Sequence, residues 1–156
     1  MIYIAYNRLG SPGMSVQTNS VEDRLLKLQL RLAQLEKQES CRENFLDFVG
    51  TMWPDFISGR HHRIIAEKLE RVARGELKRL IINMAPRHTK SEFASFLFPA
   101  WMMGKNPSMK IIQATHTTEL AVNFGRKTKN LIDSDEFKTV FPEVKLAADS
   151  KASGRW

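Results

Sequence analysis

Arg79-Leu-Ile-Ile-Asn-Met-Ala85, followed at once by Pro86-Arg-His-Thr-Lys-Ser91, is the stretch on which the fold turns. Its first seven residues are short, apolar and β-rich, the pattern of a buried strand. The polar loop after it leads into a helical run over 92–103, which Gly104, Asn106 and Pro107 end. Met109-Lys-Ile-Ile-Gln-Ala-Thr115 repeats the strand pattern. A helix at about 118–132 follows, with Leu120, Phe124, Leu131 and Ile132 on its apolar side. Strand, loop, helix, strand, helix is the rhythm of a parallel sheet. The expected fold class is therefore α/β, with strands at 79–85 and 109–115 central, buried and side by side.

Helices are expected upstream of that unit. Residues 1–19 read as a flexible leader, within which Met14 is a second candidate start. From Ser20 the pattern changes. Ser20 and Asp23 make a capping-box-like start, and Val21, Leu25, Leu28, Leu32 and Leu35 repeat at 4-3-4-3 spacing. Residues 20–40 thus form an amphipathic arm, too short for a self-sufficient coiled coil, that packs on its own domain or on a partner. A second helix is expected over 41–53, stopped by Pro54. A third runs to about Arg74, burying Ile65, Leu69 and Val72, with Gly75 just past its end. Residues 41–156 form the main domain in this reading.

Composition narrows the function classes. The chain has 156 residues, 42% hydrophobic, enough for a core. Its single cysteine, Cys41, rules out a disulfide framework or a multi-cysteine metal knuckle. No apolar run approaches the roughly 20 residues that span a bilayer, and the first residues lack the basic start of a signal peptide. A soluble protein of a reducing compartment is expected. The net charge of +7 is concentrated in residues 60–90, with 9 basic against 3 acidic side chains. That concentration suits a polyanion such as nucleotide or nucleic acid. The same charges also fit a solvated helix face with pairs such as Glu67–Arg71 and Glu70–Arg74.

A phosphate-binding loop needs a tight turn of converging N–H groups, a lysine, a hydroxyl for Mg²⁺ and a helix N-terminus. Lys90 and Ser91 stand where the lysine and hydroxyl belong. The two glycines of the strict pattern fall on Met84 and Thr89, and Pro86 removes one N–H donor. A β-branched Thr89 is strained if its position needs φ > 0. The alternative is a slightly different turn in which the Thr89 hydroxyl replaces a lost amide contact, and the constraint of Pro86 favours it. The amides of 87–91, the Arg87 guanidinium and His88 complete the cradle. An ordinary loop with a basic helix start is the competing reading.

Several segments in order then become recognisable: Gly59-Arg-His-His, Ile65-Ala-Glu-Lys-Leu-Glu-Arg-Val, Arg79-Leu-Ile-Ile-Asn and Ala85-Pro-Arg-His-Thr-Lys-Ser-Glu92. With Gln113-Ala-Thr-His-Thr, the helix over 119–132 and Phe141-Pro-Glu-Val, they resemble the large terminase subunit of tailed bacteriophages. The resemblance covers about 42–156. Family members more often read Pro-Pro-Arg-His-Gly-Lys-Ser-Glu in the loop, so Ala85 and Thr89 are departures.

The resemblance implies a RecA-like P-loop ATPase that drives double-stranded DNA into a procapsid through a portal, joined to a C-terminal metal-dependent nuclease. By position, Lys90 would contact the β/γ-phosphates, Arg87 the γ-phosphate and Ser91 the Mg²⁺, with His88 and Thr89 in the cradle. Residues 54–62 occupy the place where adenine is held in that family, which brings in His61; the alternative for His61 and His62 is a helix-start pair with no ligand role. ATP and Mg²⁺ are the implied cofactors. The implied partners are DNA, the portal protein, the small terminase subunit and further copies of the chain, in the bacterial host cytoplasm and transiently at the procapsid portal.

Such an ATPase also needs an apolar strand ending in acid. The nearest sequence, Leu131-Ile-Asp133, has too short an apolar run and lies at a helix end. No acidic triad for two-metal nuclease chemistry is present either. The expectation is an N-terminal piece of the ATPase half, inactive alone. Two other classes remain open: a different P-loop motor such as a helicase-like ATPase, and a non-enzymatic basic α/β module that binds nucleic acid or a partner.

Overall fold

A computed structural model describes residues 21–146; the leader at 1–19 and the tail 147–156 lie outside the described residues. The described residues divide into two units between Ala33 and Gln34, and Ser20 of the expected helix start also lies outside them.

Helix α1 (Val21–Glu43) begins in the first unit and ends in the second. The apolar periodicity does produce a helix. Leu25, Leu28 and Leu32 are nevertheless more than half exposed, so the apolar stripe is not spent on a core.

In the second unit, Asn44 interrupts what reads from sequence as one helix over 41–53. The Asn44 side chain accepts the N–H groups of Leu46 and Asp47 and so starts α2 (Phe45–Met52). Glu70, from the next helix, takes the Phe45 N–H at 2.8 Å. That helix, α3 (Arg60–Ala73), buries Ile65, Ala66 and Leu69. Its end is as expected: Gly75 at φ 77° follows, with the Gly75 and Glu76 amides returning to the Val72 and Arg71 carbonyls. The expected surface pairs differ. Glu70 serves α2, and Arg74 reaches Glu76 at 2.6 Å.

After a stretch without helix or strand come α4 (Lys90–Glu92), a π-helical segment (Phe93–Leu97) and α5 (Phe98–Lys105), with right-handed backbone at each junction between them. The wider π turn has an identifiable cause in Pro99, which has no N–H and whose ring crowds the preceding turn. Helix α6 (Thr118–Asp133) is capped by Thr117, and α7 (Asp135–Val140) by Ser134. The core is aromatic. Phe45, Phe48, Phe93, Trp101 and Phe137 are at most 1% exposed, with Phe45 ringed by Phe48, Phe93, Phe98 and Trp101.

The expected α/β fold is not what forms. The described residues are 66% helix, with no strand or sheet among them. Residues 79–85 and 109–115 form neither helix nor strand and have no backbone ladder. Leu80, Ile82 and Met84 pack on the helical core with one face, while Ile81 is 86% exposed; Ile112 is 96% exposed. A strand buried on both faces was expected, and each segment instead leaves an apolar residue in solvent, Ile81 in the first and Ile112 in the second. Among the described residues no helix is long and apolar enough to cross a membrane.

Candidate functional site: the 86–91 turn and the start of α3

Two elements far apart in sequence meet at this site. Gly59 opens α3, so His61 and His62 fall in its first turn. The turn at 86–91 comes back against them, with the His88 ring 6.0 Å from His61 and the His61 ring 3.8 Å from His62.

The turn contains the chain's two positive-φ residues other than glycine among those described, Arg87 at 65° and Thr89 at 59°. Left-handed residues spaced this way curl the backbone so that successive N–H groups converge on one concave side. Helix α4 then starts directly at Lys90, where the first-turn amides have no acceptor within the helix. Arg87, His88, Thr89, Lys90, Ser91 and Glu92 line a concavity of about 260 Å³. All five loop residues expected in the cradle, 87–91, are therefore on it.

Each side chain has a definite role. Lys90 Nζ folds back to the Met84 carbonyl at 3.4 Å. The imidazole of His88 bonds the Pro86 carbonyl through Nδ1 at 2.9 Å, closing the turn on itself. Ser91 is exposed at its rim. Glu92 forms an ion pair with Lys127 of α6, at 3.1 Å. That Lys127 also lies over the rings of Phe96 and Phe124.

Thr89 adopts the strained left-handed conformation rather than a different turn. Its hydroxyl is turned inward, donating to the His88 carbonyl at 2.7 Å and meeting His62 Nε2 at 2.7 Å. Sequence reasoning placed His61 at the site and weighed His62 only as its helix-start partner. The signal available was its register: His62 is the third residue of α3 after Gly59, the place where a side chain reaches back to a cap N–H. It does so, with His62 Nδ1 accepting the Gly59 N–H at 2.9 Å. Burial, then the neighbouring His61 and His88, push the His62 pKa below its ordinary value.

The other acid considered from sequence is elsewhere. Asp133 ends α6 and pairs with Lys138 at 2.6 Å on the surface. No three His, Cys, Asp or Glu side chains gather as a metal site among the described residues. Beside the turn, His61, Ile64, Ile65, Lys68 and residues 80–84 line a second cleft of about 260 Å³. Neither a protein family, nor a curated protein, nor a solved structure matches the chain.

Proposed function

We propose that the 86–91 turn binds the phosphates of ATP, and that the chain serves an ATP-driven motor of the large-terminase type that packages viral DNA. One observation carries the reading: Arg87 and Thr89 are both left-handed in the 86–91 turn, which runs straight into the helix at Lys90. Two non-glycine residues held at φ > 0 are costly, and such strain is concentrated at ligand-binding turns. In this role Lys90 leaves the Met84 carbonyl for the β/γ-phosphates, and the Arg87 guanidinium faces the γ-phosphate. The exposed Ser91 hydroxyl suits Mg²⁺, a hard cation that takes oxygen ligands and shields phosphate charge.

The surrounding charge supports a nucleic-acid partner, since residues 60–90 carry 9 basic against 3 acidic side chains. Portal protein, small terminase subunit, further copies of the chain and a site of action in the host cytoplasm belong to the same proposal and rest on the sequence resemblance. The carboxylate on the concavity, Glu92, is tied to Lys127, so the described residues offer no free acid there to orient water. Nucleotide binding with negligible turnover follows.

Titration with a non-hydrolysable ATP analogue tests this. Affinity should require Mg²⁺ and fall by roughly tenfold or more in Lys90→Ala, a loss of about 1.4 kcal/mol per factor of ten. Equal binding by Lys90→Ala, or none by the unaltered protein, removes the reading. Phosphate release above background that vanishes in Lys90→Ala would mean that an acid acts there after all.

A further inference from the structure

Resting on the phosphate-binding reading of the turn, we propose that His62 is its positioning residue, holding Thr89 in the left-handed conformation that keeps the 86–91 turn shaped for phosphate. The hydrogen bonds form a directed chain. The Gly59 N–H donates to His62 Nδ1 at 2.9 Å, so Nδ1 carries no proton and Nε2 does. His62 Nε2–H then donates to Thr89 Oγ1 at 2.7 Å, and the Thr89 hydroxyl donates onward to the His88 carbonyl at 2.7 Å. Every donor in the chain has one acceptor, so the tautomer is fixed without choice.

The imidazole is itself immobilised. It is 6% exposed, stacked on Phe93 at 5.2 Å and 23°, and edge-on to Phe56 at 4.8 Å. A ring so clamped offers Thr89 a hydrogen bond in one place only. Thr89 would relax to φ < 0 if its hydroxyl were free, because its β-branched side chain clashes in the left-handed region. Released from His62, the residue loses that hold and the amides of 87–91 cease to converge. Glycine at this position needs no such support.

Two substitutions at His62 separate its bonds. His62→Gln places an amide N–H near Nε2 and keeps the donor to Thr89. His62→Asn places a carbonyl near Nδ1, keeping the Gly59 acceptor and losing Thr89. NMR couplings on the nucleotide-free protein report the Thr89 φ, and titration with the Mg²⁺-bound, non-hydrolysable ATP analogue reports affinity. Thr89 should leave φ > 0 in His62→Asn and keep it in His62→Gln. Affinity should fall roughly tenfold in the first and stay within about threefold in the second. In a Thr89→Gly background, His62→Asn should no longer weaken binding. Thr89→Val, which removes the hydroxyl and leaves the core intact, should match His62→Asn even if that variant folds poorly. Thr89 holding φ > 0 in both His62→Asn and Thr89→Val overturns the positioning role whatever the nucleotide does. Failure of the unaltered protein to bind the analogue, with Thr89 released as expected, overturns the phosphate reading instead.

Discussion

Gln113 donates its side-chain amide to the Ser95 carbonyl at 3.1 Å, across 18 residues of sequence. Ser95 lies four residues before Pro99, so its carbonyl is the one that a Pro99 N–H would have reached in an α-helix. The segment over 109–115 is thereby tied, through one amide, to the π-helical stretch at the point where the proline disrupts it.

That bond predicts a coupling. Gln113→Ala should cost about 0.5–1.5 kcal/mol of stability, the usual net worth of such a hydrogen bond. In a Pro99→Ala background an N–H is available four residues on, and the cost of losing Gln113 should shrink. Urea midpoints of the four proteins measure it; strictly additive losses would mean that the two groups do not share the carbonyl.

Gly104 offers a sharper steric test. It sits within α5 and is buried, and a Cβ built there would lie 2.5 Å from the Phe141 ring. Phe141 is itself 5% exposed and held against Phe48 and Phe137. Gly104→Ala should therefore destabilise by about 1–3 kcal/mol, as overpacking does, although alanine is the better helix former. A stabilised Gly104→Ala protein would show that the ring moves freely.

Gly104 also shows where sequence reasoning stops. It reads as a helix-ending signal, yet the helix continues to Lys105 and the glycine answers a ring 37 residues away. What was legible is local. The periodicity of 21–35, the end of α3 at Gly75 and the Thr117-capped start of α6 all depend on residues a few positions apart. The apolar character of 79–85 was legible too, and Leu80, Ile82 and Met84 do pack against the core. A sheet needs a second backbone in register, however, and one segment's side chains do not specify that. The candidate site divides the same way. Arg87, Lys90 and Ser91 were readable from order alone, whereas His62 gains its role only when Thr89 arrives from 27 residues downstream.

The corrected fold changes what the 79–85 segment should contribute. A doubly buried strand would make Ile82→Ala cost about 2–5 kcal/mol and make its neighbour costly as well. With Ile82 half-buried and Ile81 86% exposed, Ile82→Ala should cost about 1–2 kcal/mol and Ile81→Ala less than about 0.5. A large loss at Ile81 would restore the buried reading.

His62 makes stability depend on pH. Its folded pKa lies below the ordinary 6.5, because burial, His61 and His88 all disfavour the charged ring. Between those two values the unfolded chain binds more protons than the folded one, so stability is lost as pH falls through about 6.5 towards the lowered folded value. It is fully present above that window. Protonation would also put a hydrogen on Nδ1, against the Gly59 N–H that now donates to it. Denaturation midpoints at pH about 7.5 and about 5 should differ more for the unaltered protein than for His62→Gln. Equal pH dependence would assign the effect to other groups.

Thr89 carries two opposing contributions, and substitution can separate them. Its φ of 59° costs a β-branched residue on the order of 1–3 kcal/mol. Its hydroxyl offsets part of that, since removing it forfeits a bond worth about 0.5–1.5 kcal/mol and leaves His62 Nε2 unpaired in a site 6% exposed, at about 1–3 kcal/mol. Thr89→Ser keeps the hydroxyl and loses the branch, so it should be as stable as the unaltered protein or more so. Thr89→Gly relieves the strain, loses both bonds and gains chain entropy when unfolded, contributions that nearly cancel. Thr89→Ala and Thr89→Val lose the hydroxyl that holds the residue at φ > 0 and leave His62 without its acceptor, and should lose about 1–3 kcal/mol. The expected order in urea midpoints is serine, then threonine and glycine together, then alanine and valine. If alanine equals glycine, the position is unstrained; if valine equals threonine, the bond to His62 contributes nothing, and the turn is held by its own backbone.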